Sequence, residues 1–271
     1  TAKVKRTVFE DDYLLKLPEK LNVEQLILLI DEFDVLKNEN KESDFVNYLS
    51  NLKPDNTPLH SKIKLIYAVG RNYSDADLDL IRKFNELAQY VDITEFDFDT
   101  VLSVAKMSEN TIPFEEKAIR KLYRYTSGNP YFTQCLAYNA FNSAENLNAP
   151  QITEKIVDRQ FIPTVKSYGS GALVIWNELL PEDRLFLFIA AHTDRKDNIS
   201  YSDFEKKAAE LNFAISEYYY KNCLNRLLKN NFLIQYNPDS FVFKIEFFRK
   251  WISIDARKKE IKEYIKLMAA C

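Results

Sequence analysis

The sequence predicts an α/β portion built on parallel strands, then an all-helical portion that closes in three helices and a β-hairpin. Three features carry that expectation. Within residues 1–97, apolar runs of strand length at 25–31 and 62–70 alternate with helix-like stretches, an order that implies parallel strands joined by crossover helices. From residue 98 onward the apolar spacing is helical. Near the end, FLIQY and FVFKI flank Asn237, Pro238 and Asp239, two strand-like runs separated by turn residues.

In chain order, residues 4–9 have weak strand character. The run at 25–31 is apolar without alternation, as in a strand covered on both faces. Residues 41–53 read as a helix, because Phe45, Tyr48, Leu49 and Leu52 share one stripe. A loop holding Pro54 and Pro58 leads to the second strand, 62–70, which Gly70 ends. A helix at 75–90 begins with acids, as suits the positive end of a helix dipole. Residues 90–97 form a third short strand or a strand-like exit. Four helices follow, over 97–110, 113–128 (with Pro113 near its first turn), 129–146 and 153–165. The stretch 167–173, SYGSGAL, holds two of the four glycines and reads as a linker. Three helices and the hairpin then give the winged-helix plan. The partition is an α/β core segment at 1–97, a helical bundle at 98–166, a winged helix at 167–256 and a solvated helix at 257–271 leading to a further domain.

Bulk composition narrows the classes. Apolar residues make up 46 % and charged residues 28 % of 271 residues, an ordinary globular balance. A net charge of −3 argues against wholesale electrostatic binding of a polyanion. The three cysteines, Cys135, Cys223 and Cys271, form no close pair, so neither a disulfide framework nor a zinc site is indicated and a cytoplasmic setting is expected. No apolar run nears the roughly 18 residues of a membrane span. His60 and His192 are far apart and are given no role. No glycine precedes Gly70, so a Gly-rich phosphate-binding loop is absent.

The stretch LILLIDEFDVL, 26–36, carries the clearest chemistry. Open α/β sheets bind ligands at the C-terminal edge of their strands. An Asp there can hold magnesium through its waters, and a Glu one residue later can activate a water; Asp31 and Glu32 fit those roles. The same residues equally describe a strand ending in a solvated acidic turn. The second strand ends in Arg71 and Asn72 at the same edge, and an Arg there reaches charge developing in phosphoryl transfer. In YTSGNPYF, Gly128 suits a helix C-terminus, Asn129 caps the next helix and Pro130 sits at its first position. The turn is a tight connector, and its helix N-terminus also suits a base or phosphate. The helix SEYYYKNCLNRLLKNN offers Lys221, Arg226 and Lys229 for DNA, but its apolar content favours packing within the chain. Tyr218, Tyr219 and Tyr220 read as core or interface.

LILLIDEFDVL, KIKLIYAVGRN, YRYTSGNPYFTQCL and the closing FKIEFFRKWI together resemble the AAA+-related STAND NTPases, a branch of the P-loop NTPases. The resemblance covers most of 25–252. It implies a partial P-loop core, a helical lid and a winged helix, with ATP or ADP and Mg2+ bound between core and lid. Asp31 and Glu32 then match Walker B, with Asp31 orienting the metal. Arg71, with Asn72 the alternate, matches sensor 1, and Gly128, Asn129 and Pro130 match the lid turn at the nucleotide. The departure is the missing Walker A loop, expected upstream of Thr1; ATPase activity depends on it. The resemblance also implies homo-oligomerisation on activation, a protein or nucleic-acid trigger, and a role in prokaryotic defence or signalling. An origin-recognition type of DNA-binding ATPase and a non-catalytic scaffold are the alternatives.

Overall fold

The computed structural model describes residues 16–31, 63–68, 89, 91, 93–195, 197–254 and 258–269. The chain divides into two compact units, Thr1–Asp92 and Ile93–Cys271. The expected strand at 4–9, the helix at 41–53 and nearly all of the helix at 75–90 lie outside the described residues.

In the first unit a single helical turn, α1 (Leu17–Lys20), precedes β1 (Leu26–Ile30), and β2 is Ile63–Tyr67. The two strands pair in parallel, from Leu26 opposite Ile63 to Ile30 opposite Tyr67. Both strand ends are therefore level, and the residues that follow emerge at one edge. The expectation of cover on both faces is not met: Ile27 is 58 % and Leu29 74 % exposed, whereas Leu26 and Leu28 are half-buried. An apolar run shows that a strand tolerates burial on both faces; only the surrounding layers decide whether it receives it.

The second unit is helical apart from a small antiparallel sheet. Residues 93–97 belong to no described strand. Four helices come first: α2 (Phe98–Lys106), α3 (Glu116–Thr126), α4 (Pro130–Asn146) and α5 (Glu154–Ser167). Asp97 caps α2, accepting from the Thr100 N–H at 2.8 Å. Pro113 lies before α3 rather than in its first turn, because its carbonyl accepts from the Ile152 N–H at 2.8 Å in a bridge between segments. The core here is Val101, Leu122, Phe132, Leu136, Ile156 and Val165, all essentially buried.

The linker expected at 167–173 is instead helical on both sides of Tyr168: Ser167 ends α5 and Gly169 opens helix α6 (Gly169–Glu178). Its glycines serve close packing: a Cβ at Gly169 would fall 2.5 Å from the Trp251 ring, and one at Gly171 would fall 2.4 Å from Tyr131. Glycine composition suggests flexibility, but aromatic rings pressed against the Cα hydrogens remove it. After α6 come α7 (Pro181–Ala191), β3 (Ile199–Ser200), α8 (Tyr201–Glu210), α9 (Glu217–Lys229), β4 (Leu233–Asn237) and β5 (Ser240–Phe243). The hairpin strands pair as expected, and the short β3, which the sequence did not announce, adds a third strand in the order β3-β5-β4.

Helix α10 (Glu246–Ile254) joins the bundle to the helix–hairpin module. Phe247 stacks on Phe132 with centroids 4.2 Å apart, and Phe248 and Trp251 reach Phe232 and Trp176. One hydrophobic core therefore runs through the unit. The last helix, α11 (Lys258–Ala269), was expected to be solvated and is not: Ile261 and Ile265 are buried, and Glu260 pairs with Arg184 at 3.2 Å. Its charges are spaced to leave an apolar stripe, and α7 receives it.

Candidate functional site

The sequence-predicted residues fall into three groups. Asp31 directly follows β1 at the C-terminal edge of the parallel pair, and it is exposed. Glu32, Arg71 and Asn72 lie outside the described residues. Gly128, Asn129 and Pro130 come together in one turn of the second unit, between α3 and α4.

That turn is built from local necessity. Ser127 and Gly128 both take left-handed backbone, with φ of 46° and 73°, a conformation that costs a non-glycine residue about 1–2 kcal/mol. The Ser127 N–H closes α3 on the Tyr123 carbonyl at 2.7 Å. The Asn129 side chain accepts from the Phe132 N–H at 3.1 Å, and Pro130 supplies the pre-set φ of the first helical position. Beneath the turn the hydroxyls of Thr126 and Thr133, both buried, share a hydrogen bond of 2.9 Å.

Two other segments are fastened to this turn. The Gly128 carbonyl accepts from the Phe96 N–H at 2.8 Å, and a Cβ at Gly128 would lie 1.8 Å from the Phe96 oxygen. Glycine is required there twice, by its φ and by the closeness of the neighbouring backbone. The Ser127 hydroxyl donates to the Lys244 carbonyl, one residue after β5. The Lys244 ammonium then lies 3.1 Å from the Glu95 carboxylate, the two side chains being 18 % and 16 % exposed. Residues 95–96, 127–128 and 244 thus form a closed knot that ties the segment entering this unit to the bundle and to the hairpin. Hydrogen bonds from Thr100, its side chain foremost, hold the nearby Asp97 carboxyl below the usual range.

Glu95, Ser127 and Lys244 were not singled out from the sequence. Only the Ser-Gly pair carried a signal, as a helix C-terminus; Glu95 is one acid among several in TEFDFD, and its partner is about 150 residues away.

The knot consists of backbone and hydroxyl hydrogen bonds and one ion pair. Burial pushes the Cys223 thiol up to about 12 and raises that of Cys135, so neither offers a thiolate. Among the described residues no cluster of His, Cys, Asp or Glu could hold a metal by itself. A lone Asp31 carboxylate still fits magnesium, which uses one or two carboxylates and keeps its waters. Of the basic residues that α9 offers for DNA, Arg226 packs inward, on buried Asp183, through two hydrogen bonds of 2.7 Å. Lys221 pairs with Glu217 at 2.6 Å on the surface. Among the described residues, no helix is long and apolar enough to cross a membrane.

No protein-family model matches the sequence, and no curated protein matches it. Solved structures do. The ORC2 protein of Aeropyrum pernix, in its ADPNP–ADP complexes, is similar over 95 % of this chain and 69 % of its own, with a TM-score of 0.58 and 11 % identity. The Walker-type ATPase of Pyrococcus abyssi is similar over 93 % of this chain and 68 % of its own, with a TM-score of 0.54 and 16 % identity. At such identities the likeness is one of fold. The chain shares its fold with that Walker-type ATPase and with the ORC2 protein.

Proposed function

We propose that this chain is the switch portion of a nucleotide-dependent ATPase of the STAND kind, in which ATP or ADP with magnesium governs self-association. The observation that supports this reading is the fold it shares with a Walker-type ATPase and with ORC2, whose structure is of ADPNP–ADP complexes. Bound nucleotide supplies a transferable phosphoryl group, and magnesium neutralises its charge. Asp31 would hold the metal through its waters, Glu32 would polarise a water, and Arg71 or Asn72 would face the terminal phosphate. The turn of Gly128, Asn129 and Pro130 contacts the nucleotide. Its ties to Phe96 and Lys244 carry any shift to the entering segment and the hairpin, which we read as the edge of a winged helix. The helix–strand–helix–helix–hairpin order of 181–243 supports that last reading. Roles in defence or signalling rest on the STAND resemblance alone.

The test is thermal unfolding of the protein with and without magnesium-ATP. Magnesium-ATP should raise its melting temperature, and Asp31→Asn should remove most of that rise without changing the melting temperature of the nucleotide-free protein. No rise in the parent protein would sink the proposal and favour the scaffold reading. The likeness to ORC2 keeps a second reading in view, DNA binding through α9; there, replacing Lys221 and Lys229 together should abolish salt-dependent binding of a duplex.

A further inference from the structure

We infer that the outer face of α3 is a docking surface for the phosphate backbone of a nucleic acid, independent of α9 and of the nucleotide reading above. Lys117, Arg120, Lys121 and Arg124 repeat at three- and four-residue spacing on α3, and with Glu154 they line a depression of about 230 Å³. The three carboxylates within reach, Glu116, Glu154 and Asp158, still leave this face net positive in a chain of net charge −3. Along the helix axis the four cations span ~10 Å, at about 1.5 Å per residue. That matches about three nucleotide steps of a strand, at roughly 3.4 Å each.

The two inner cations are held in place before any partner arrives. The Arg120 guanidinium sits 5.2 Å from the Phe98 ring centroid and 2.6 Å from Glu116. Lys121 is 3.0 Å from Glu154, 3.2 Å from Asp158 and 5.6 Å from the Tyr125 ring centroid. Asp158 is further occupied by the Tyr125 hydroxyl, which donates to it at 2.6 Å. The carboxylates at this face are thus engaged with the inner pair or with Tyr125. Lys117 and Arg124, both exposed at the two ends, form no ion pair with a carboxylate among the described residues. Two ordered cations flanked by two uncommitted ones suit a linear polyanion, because less side-chain freedom is lost on binding.

The lining also decides between partners. Every side chain that lines the depression ends in a charge, and no aromatic or aliphatic residue lines it to serve as the anchor on which protein interfaces concentrate their affinity. Nor does it offer amide groups that read base edges. Backbone contacts of this kind position a nucleic acid without specifying its sequence.

The experiment is fluorescence anisotropy of the whole chain with a labelled mixed-sequence duplex, titrated at several salt concentrations. The parent protein should bind at low salt. Lys117→Gln with Arg124→Gln should weaken binding about tenfold and lower the salt slope by about two, since each lost phosphate contact removes roughly 0.9 from it. Lys206→Gln, at an exposed lysine of α8 that pairs with Asp194 at 3.6 Å, should leave both unchanged. Failure of the parent to bind, an unchanged slope in the double variant, or equal loss in Lys206→Gln each overturns the inference. Tighter binding of polyglutamate than of the duplex does so too, and would point to an acidic protein partner instead.

Discussion

Helices α3 and α9 start from the same material and end in opposite roles. Each is amphipathic, and each carries an Arg or Lys at several successive turns. On α9 the central cation, Arg226, folds inward to Asp183, whose side chain is only 4 % exposed. On α3 the cations stay at the surface, where even Lys121 shares carboxylates that are about 40 % exposed. What separates them is the acid opposite. Asp183 sits in the first turn of α7, a helix buried along nearly its whole length, so its charge has no solvent to turn to. A buried carboxylate must be paired and hydrogen-bonded, and the arginine fork satisfies both oxygens at once. A basic helix face is therefore available to a ligand only when no buried acid claims it.

The widest gap between the two helices should appear on removing Arg226. Arg226→Met leaves the Asp183 charge buried without its partner, and breaking a buried pair on one side costs about 3–5 kcal/mol. Chemical denaturation should show a loss of that order, and Asp183→Asn added to Arg226→Met should restore part of it. If Arg226→Met costs no more than a surface substitution, the pair is not a strut and α9 regains its claim on DNA.

Lys244 falls between the extremes, since the acid it would leave behind, Glu95, is 16 % exposed against 4 % for Asp183. Lys244→Met should cost about 1–2 kcal/mol, more than an exposed pair and less than a fully buried one. It should also loosen the knot, so the amide of Phe96, which donates to Gly128, should exchange faster with solvent. Stability loss without faster exchange at Phe96 would show that the ion pair merely packs and does not tie the entering segment to the turn.

Which of these distinctions the sequence carried depends on how local they are. The Asn129 cap, Pro130 at the helix start and the left-handed Gly128 are set by neighbours within a few residues, and all three could be read from SGNP. So could the parallel pairing of LILLI with IKLIY. The Asp183–Arg226 and Glu95–Lys244 pairs could not, because their partners lie 43 and about 150 residues apart. Glycine misled in the other direction: at Gly169 and Gly171 the small residue makes room for Trp251 and Tyr131 rather than for motion. The amphipathic stripe of 258–269 was hidden by its many charges, and a packing partner on α7 was needed to reveal Ile261 and Ile265 as buried.

The smallest effect tests the surface end of the comparison. Lys121→Met removes contacts to two half-exposed carboxylates, and such pairs contribute less than about 1 kcal/mol. Its sign with pH is nonetheless determinate. Hydrogen bonding to Glu154, foremost, and attraction to Asp158 raise the Lys121 pKa above its ordinary 10.5. Folding therefore favours the protonated lysine. That contribution is complete below the unfolded value and disappears as pH rises through the folded one. The melting-temperature difference between parent and Lys121→Met should accordingly be small and constant near neutrality, then close toward zero in strongly alkaline buffer. It should also shrink with added salt, whereas the Arg226→Met deficit should persist, since buried pairs are screened far less than exposed ones. A Lys121 deficit as salt-resistant as that of Arg226 would mean that α3 too is held by an inward pair, and its outer face would lose the freedom to receive a polyanion.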